Sequence, residues 1–164
     1  MLISKELENA INTQIGNEFG ASMQYIAIAA YFADQNLSLL AKIFFDQAEE
    51  EKEHAMKFVH YLIETQSFLK VPDIPGPDHD FSSAEAAIAA ALDWEKEVTG
   101  QINNLMKIAV GQDDYLSQSF LRWYIEEQLE EINKMDQLLS VVRRAGDKNL
   151  IMVEAYLAHL ETGE

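Results

Sequence analysis

Glu51 and His54 stand three residues apart in the run Glu49-Glu50-Glu51-Lys52-Glu53-His54. On a helix that spacing puts a carboxylate and an imidazole on one face. Phe44, Ala48, Ala55, Phe58 and Leu62 fall at helical spacing around them, so the shared face is a core-facing stripe. A lone Glu-x-x-His pair is a common accident of solvated helices, but three other segments repeat the oddity. Glu18, Glu95 and Glu131 each interrupt an apolar stripe near the midpoint of a long helical segment. Four long helices packed side by side bring their midpoints to one level, whichever way each points. Four carboxylates then share one layer of the core, with Glu127, Gln128 and Glu130 around Glu131. A buried carboxylate without a partner costs several kcal/mol, and four together repel one another. Lys52, Lys96 and Lys134 fall to the side of these stripes. The acids must therefore stay protonated or hold cations. Carboxylates with a single imidazole suit hard or borderline divalent ions such as Fe(II) or Mn(II) better than structural zinc.

The elements that carry these residues follow from caps and turns. The first helix starts at Ser4, an N-cap with Glu6 and Glu8 in the following turn, and runs to about Ala33. Its stripe is Ile11, Ile15, Tyr25, Ile26 and Ala29, and Gly16 and Gly20 are either modest weaknesses in the helix or places where a neighbouring helix comes close. Asp34-Gln35-Asn36 forms a turn, and a second helix spans about Leu37 to Gln66, antiparallel to the first. Ser67 to Phe81 holds Pro72, Pro75, Gly76 and Pro77, which favour an extended path. At about 3.1 Å per residue such a segment reaches roughly 45 Å, the length of the second helix. It can cross the whole bundle, which makes the second and third helices parallel. Ser82-Ser83-Ala84-Glu85 reads as a capping box opening the third helix, which runs to about Val110 along Ile88, Leu92, Val98, Ile102 and Leu105. The fourth spans Tyr115 to Ala145 along Phe120, Tyr124, Met135, Leu138 and Val142, with Arg143 and Arg144 in its last turn and Gly146 at C′. A fifth, short helix fits Asn149 to Leu160. Its Leu150, Val153, Leu157 and Leu160 read as apolar surface that one bundle does not bury. The expectation is one all-α domain over residues 1–164.

Composition narrows the classes of function. The 164 residues suffice for one domain with a substantial core, and the absence of cysteine excludes disulfides and thiolate ligation. A formal net charge of -16 argues against nucleic acid or anionic membranes as partners. Neither a leader pattern nor a bilayer-spanning apolar run is evident, so a cytoplasmic protein is expected. His60, His79 and His159 read as surface or loop residues, and Asp78-His79-Asp80 lies in the Pro-rich loop without a partner stripe.

With these residues in hand, the whole chain resembles a ferritin, specifically the bacterial non-haem type: a ferritin-like four-helix bundle with a long crossover and a short fifth helix. The motifs are Glu18 with Tyr25 two turns on, Glu51-x-x-His54, Glu95, and Trp123-Tyr124 before Glu127-Gln128-Leu129-Glu130-Glu131. Glu130 stands where bacterioferritins carry a second histidine, and Lys52 where they carry the haem-binding methionine, so no haem is expected. The resemblance implies an iron-storage protein with ferroxidase activity, oxidising Fe(II) with O2 or H2O2 inside a homo-oligomeric 24-mer cage. It implies two irons per subunit, one on Glu18, Glu51 and His54 and the other on Glu51, Glu95 and Glu131, with Gln128 nearby and Glu51 bridging. A third site would involve Glu50, Glu127 and Glu130, and perhaps Glu131. Tyr25 and Trp123 would supply further electrons, and Glu49 and Glu53 would face the inner surface. The positions that form an acidic entry channel in animal ferritins match Gln118 and Leu121, both uncharged. The alternative is a di-iron oxidase or oxygenase of the same superfamily that acts on an organic substrate without storage.

Overall fold

The computed structural model describes residues 2–163. Four long helices, α1 (Lys5–Asp34), α2 (Ser38–Glu64), α3 (Ala84–Gly111) and α4 (Tyr115–Ala145), precede a short α5 (Leu150–Thr162), and the described residues contain no strand. Their starts are those that hydrogen-bond chemistry dictates. Ser4 Oγ accepts from Leu7 N at 3.1 Å, Ser83 Oγ from Ala86 N at 3.0 Å, and Asp114 Oδ1 from Ser117 N at 3.0 Å, each satisfying a donor that the first helical turn leaves free. Gly146, at φ 72°, closes α4 in a backbone region that a Cβ would penalise.

Two apolar clusters fix the helix directions. One joins the end of α1 (Phe32), the start of α2 (Leu40, Phe44), the start of α3 (Ile88) and the end of α4 (Leu138, Val142). The other joins the start of α1 (Leu7, Ile11), the end of α2 (Phe58, Leu62), the end of α3 (Ile102, Leu105) and the start of α4 (Leu121, Tyr124). Hence α2 and α3 run parallel, as the reach of the crossover requires. Residues 65–83 make that crossover by running along α1 in the same direction. Asn12 Nδ2 donates to Phe68 O at 2.8 Å and Lys70 N to Asn12 Oδ1 at 2.7 Å, and farther on the Gln24 amide pairs with the backbone of Asp78 at 2.9 Å in both directions.

The role expected of Gly16 is corrected by this path. It is Pro72 of the crossover, not a neighbouring helix, that packs on Gly16: a Cβ there would lie 2.4 Å from Pro72 Cγ. At Gly20 the approach is looser and shared, with Ile74 and Trp94 at 3.8 and 3.9 Å from such a Cβ.

Three other expectations shift. Ile26 is 42% exposed, because the buried stripe of α1 follows Tyr25, Ile28, Ala29 and Phe32, and Ile26 lies a third of a turn away. Leu121, matched above to a channel position, is wholly buried in the second cluster within the subunit, while Gln118 donates to Ala109 O at 3.3 Å. In α5, Leu150 and Val153 are buried within the subunit and Leu157 partly so, while Leu160 is exposed as expected and shares the free apolar surface with Ile151, Met152 and Tyr156.

The docking of α5 has a specific anchor. The N-cap of α2, Leu37, offers no side-chain acceptor. The buried Glu154 of α5 supplies one, its two oxygens accepting from Leu39 N and Leu40 N at 2.9 Å each. A carboxylate on free N–H groups at the positive end of a helix dipole is favourable. Glu154→Ala is therefore expected to cost about 1–2 kcal/mol, the scale of a lost N-cap. Amide hydrogen exchange should speed up in α5 and in the first turn of α2 but not at the midpoints of α1 and α3. Unchanged protection in α5 would show that apolar contacts alone hold it.

Candidate metal centre

Between the two apolar clusters lies a polar layer built from the helix midpoints. Glu18 of α1, Glu51 and His54 of α2, Glu95 of α3 and Glu131 of α4 are all buried. Their ligand atoms fall into overlapping sets. Glu18, Glu51 and His54 each place one such atom within 4.8 Å of the others, and so do Glu51, Glu95 and Glu131. Glu51 belongs to both sets. A further set joins His54, Glu127 and Glu131 on the same limit. His54 stands between them, with Nδ1 3.4 Å from Glu51 Oε2 and Nε2 3.9 Å from Glu127 Oε1.

Amides serve as the donors of this layer. Gln14 Nε2, one turn before Glu18, donates to Glu18 Oε1 at 2.9 Å. Gln47 Nε2, one turn before Glu51, donates to Glu51 Oε1 at 3.2 Å and to Glu131 Oε2 at 2.6 Å. Gln128 Nε2 donates to Glu95 at both its backbone oxygen (3.2 Å) and Oε2 (3.1 Å). The hydroxyl of Tyr25 donates to Glu95 Oε1. Two hydroxyls also lock the frame across helices, Tyr124 on His54 O and Ser22 on Ala48 O, both at 2.7 Å. Two buried atoms at the centre nonetheless have no hydrogen-bond partner, Glu18 Oε2 and His54 Nδ1. Both belong to the first ligand set. Unsatisfied buried polar atoms are costly, and a cation held by this ligand set would give both residues a partner. The donor set fits a hard or borderline divalent ion on this observation.

The electrostatics follow from burial. Burial, with the charge of Glu51 next, holds the Glu18 carboxyl well above the usual carboxylate range. The same causes raise Glu95 to about 7. Burial lifts Glu131 to about 8, with Lys134 opposing and the neighbouring acids adding to the rise. Burial works against a charged His54, but the adjoining Glu51, with Glu131 and Glu127 beyond it, outweighs that and the imidazole titrates higher than usual. Burial and the charge of Glu95 keep Tyr25 a phenol, a donor rather than an anion.

Not every residue anticipated for chemistry meets in this layer. Glu127 is partly buried and faces His54, whereas Glu130 is exposed and Glu50 lies at the edge, where Lys134 Nζ approaches its Oε2 to 3.2 Å. Trp123 lies edge-on to His54, ring centroids 5.4 Å apart, with Lys57 Nζ 3.7 Å from the centroid of its indole. Gln14, Gln47 and Lys134 are the groups that sequence reasoning passed over. Gln14 and Gln47 carried a readable signal, since each precedes its acid by four residues and must share its stripe. Lys134 starts off the stripe and reaches the layer with its long stem, donating to Gln47 Oε1 at 2.6 Å.

Residues 8–145 match the Ferritin-like domain family. Ferritin BfrB of Mycolicibacterium smegmatis is 41% identical over 148 residues, covering 90% of this chain and 81% of that protein. The bacterial non-heme ferritin of Staphylococcus aureus is 33% identical over 162 residues, covering 99% and 96%. An open pore ferritin from the hyperthermophilic archaeon Archaeoglobus fulgidus superposes with a TM-score of 0.91 at 28% identity, covering 94% of this chain and 96% of that one.

These pKa directions fix a pH dependence. Glu95 and Glu131 titrate above their unfolded value near 4.5, so between that value and about 8 the folded state holds protons that the unfolded chain has released. Stability of the metal-free protein must then fall as pH rises through this window, and the raised His54 adds a loss of the same sign. The melting temperature of chelator-treated protein is expected to drop between pH 5 and pH 8, by an amount worth a few kcal/mol in total. Redox-silent Zn(II) should restore it at pH 8. A flat profile would mean that the acids are solvated rather than buried together.

Proposed function

The chain belongs to the ferritin family of iron-storage proteins, and from that premise we propose that its carboxylate layer is a ferroxidase centre. Each subunit takes two Fe(II) as substrate, the first on Glu18, Glu51 and His54, the second on Glu51, Glu95 and Glu131. The two ions give one electron each to O2, which with two protons becomes H2O2, or to H2O2, which with two protons becomes water. The observation that carries this reading is that Glu51 belongs to both ligand sets, so one carboxylate can hold two ions at bridging distance. Carboxylates favour the harder Fe(III), so the site binds the product charge more strongly than the substrate charge. The protons that buried Glu95 and Glu131 hold near neutral pH are displaced as the ions enter.

Gln128 and Tyr25 position Glu95, and Tyr25, with Trp123 beside His54, would lend further electrons, a role their contacts with Glu95 and His54 support. The set His54, Glu127 and Glu131 supports a third iron position through which the ferric product leaves, with Glu50 and Glu130 farther out on that route. Residues 1–164 act as one such unit, in a cytoplasmic homo-oligomer of 24 copies whose hollow interior receives the mineral. The free apolar surface of α5 supports subunit association, because a patch of Ile151, Met152, Tyr156 and Leu160 is otherwise left in water.

Glu51→Ala tests the centre. Fast Fe(II) oxidation in stopped flow is expected to slow by more than about 100-fold, beyond the 10–100-fold typical of losing an outer partner of a metal ligand. Folding and assembly should survive, since removing one of several clustered acids relieves repulsion. An unchanged rate would take Glu51 out of the chemistry. Native mass measurement of the iron-loaded protein tests storage. A closed shell holding far more iron than two per subunit is expected, whereas a dimer holding two irons per subunit would favour an oxidase that acts on an organic substrate.

A further inference from the structure

Gln47 is wholly buried, yet every polar atom of its amide is engaged, and the three bonds lead from α4 through α2 and back to α4. Which way the amide faces is decided chemically. An ammonium donates and cannot accept, so the 2.6 Å contact from Lys134 Nζ requires the amide oxygen. The planar amide then has its nitrogen on the far side, where Glu51 Oε1 and Glu131 Oε2 accept at 3.2 and 2.6 Å. Lys134 is itself held by a second acceptor, Glu50 Oε2 at 3.2 Å.

We propose that Lys134 and Gln47 form a positioning relay that aims Glu131 and Glu51 at the second metal position, a role that rests on the reading of this layer as a two-ion centre. The relay uses one oxygen of each acid. Glu51 Oε2 stays turned toward His54, at 3.4 Å from its Nδ1. Without Lys134 the buried oxygen of Gln47 loses its donor, and the amide is held from one side only, by the two carboxylates it should be aiming. The first position has a separate arrangement. Glu18 is held by Gln14 of its own helix, whose oxygen faces Asn17 Nδ2 at 3.4 Å. The relay therefore distinguishes the two positions, and its loss should be felt at the one that depends on Glu131.

The experiment is an anaerobic titration of the metal-free assembled protein with Co(II), whose visible absorption reports the two ions as they bind. Lys134→Met keeps the stem and removes the donor, Gln47→Leu removes the amide, and Lys134→Arg restores a donor. In Lys134→Met and in Gln47→Leu the second ion should bind about 10-fold more weakly, the scale of hydrogen bonds to a charged group, with the first within about twofold. The double variant should be no weaker than Gln47→Leu, because two links of one chain are not additive. Lys134→Arg should recover most of the loss. Equal weakening of both ions, additive losses in the double variant, or an unchanged second affinity would each overturn the relay. Lys134 is partly exposed, so its variants report even if Gln47→Leu fails to fold. Fewer than two Co(II) per wild-type subunit would overturn the two-ion reading itself, and the relay with it.

Discussion

Putting four carboxylates at one level of a helical core is the constraint on which the rest of this structure depends. A layer of that kind contributes nothing to hydrophobic stability and, without metal, opposes folding through burial and like charge. The apolar core is accordingly divided in two, one cluster above the layer and one below. Each is rich in large side chains: Tyr25, Phe32 and Phe44 lie on one side, and Phe58 and Tyr124, stacked with centroids 4.1 Å apart, on the other. Helices of this length, each close to thirty residues, are what allow a full cluster on both sides of the polar layer. A shorter bundle with the same layer would keep the cost and lose much of the burial that offsets it.

The crossover follows from the same constraint. Any four helices of equal length align their midpoints, but only some topologies turn all the acids inward. The parallel course of α2 and α3 is reached by an extended segment rather than by a hairpin, and that segment needs its own seat. It finds one along α1, where Asn12 and Gln24 bind its backbone and Gly16 leaves room for Pro72. The small residue at position 16 is thus tied, through the chain path, to the presence of Glu51 and Glu95 in one layer.

The acids were legible in the sequence because a carboxylate in an apolar stripe is an anomaly, and four anomalies at helix midpoints coincide in space under any packing. The cap residues Ser4, Ser83 and Gly146 were legible because capping is local chemistry. Gln128 was legible beside Glu127 and Glu131, whereas Gln14 and Gln47 were passed over despite their spacing, since a neutral polar residue near a stripe carries little contrast and its partners are decided by side-chain direction. Glu154 was passed over for another reason: the donors it serves lie 115 and 114 residues away, a separation that no local pattern crosses. Ile26 shows the limit of periodicity itself. One residue of phase on a helix turns a side chain by about 100°, enough to exchange a buried site for an exposed one.

The choice of donors in the layer also has a physical logic. Arginine or lysine in direct contact would neutralise the acids more completely than an amide does. Yet a fixed unit charge about 6 Å from a divalent ion opposes it by roughly 5 kcal/mol at an effective dielectric of 20, enough to forfeit most of the affinity. Glutamine satisfies carboxylate oxygens through a dipole and leaves the net negative charge in place. Gln14, Gln47 and Gln128 fill that role from three different helices. The ammonium of Lys134 joins the network behind Gln47, so it is the amide, and not the cation, that touches the ligands facing the second position. A site built this way is kept together without metal by protons and amides, and an entering cation has only protons to displace from the buried ligands rather than a fixed positive charge in contact with them.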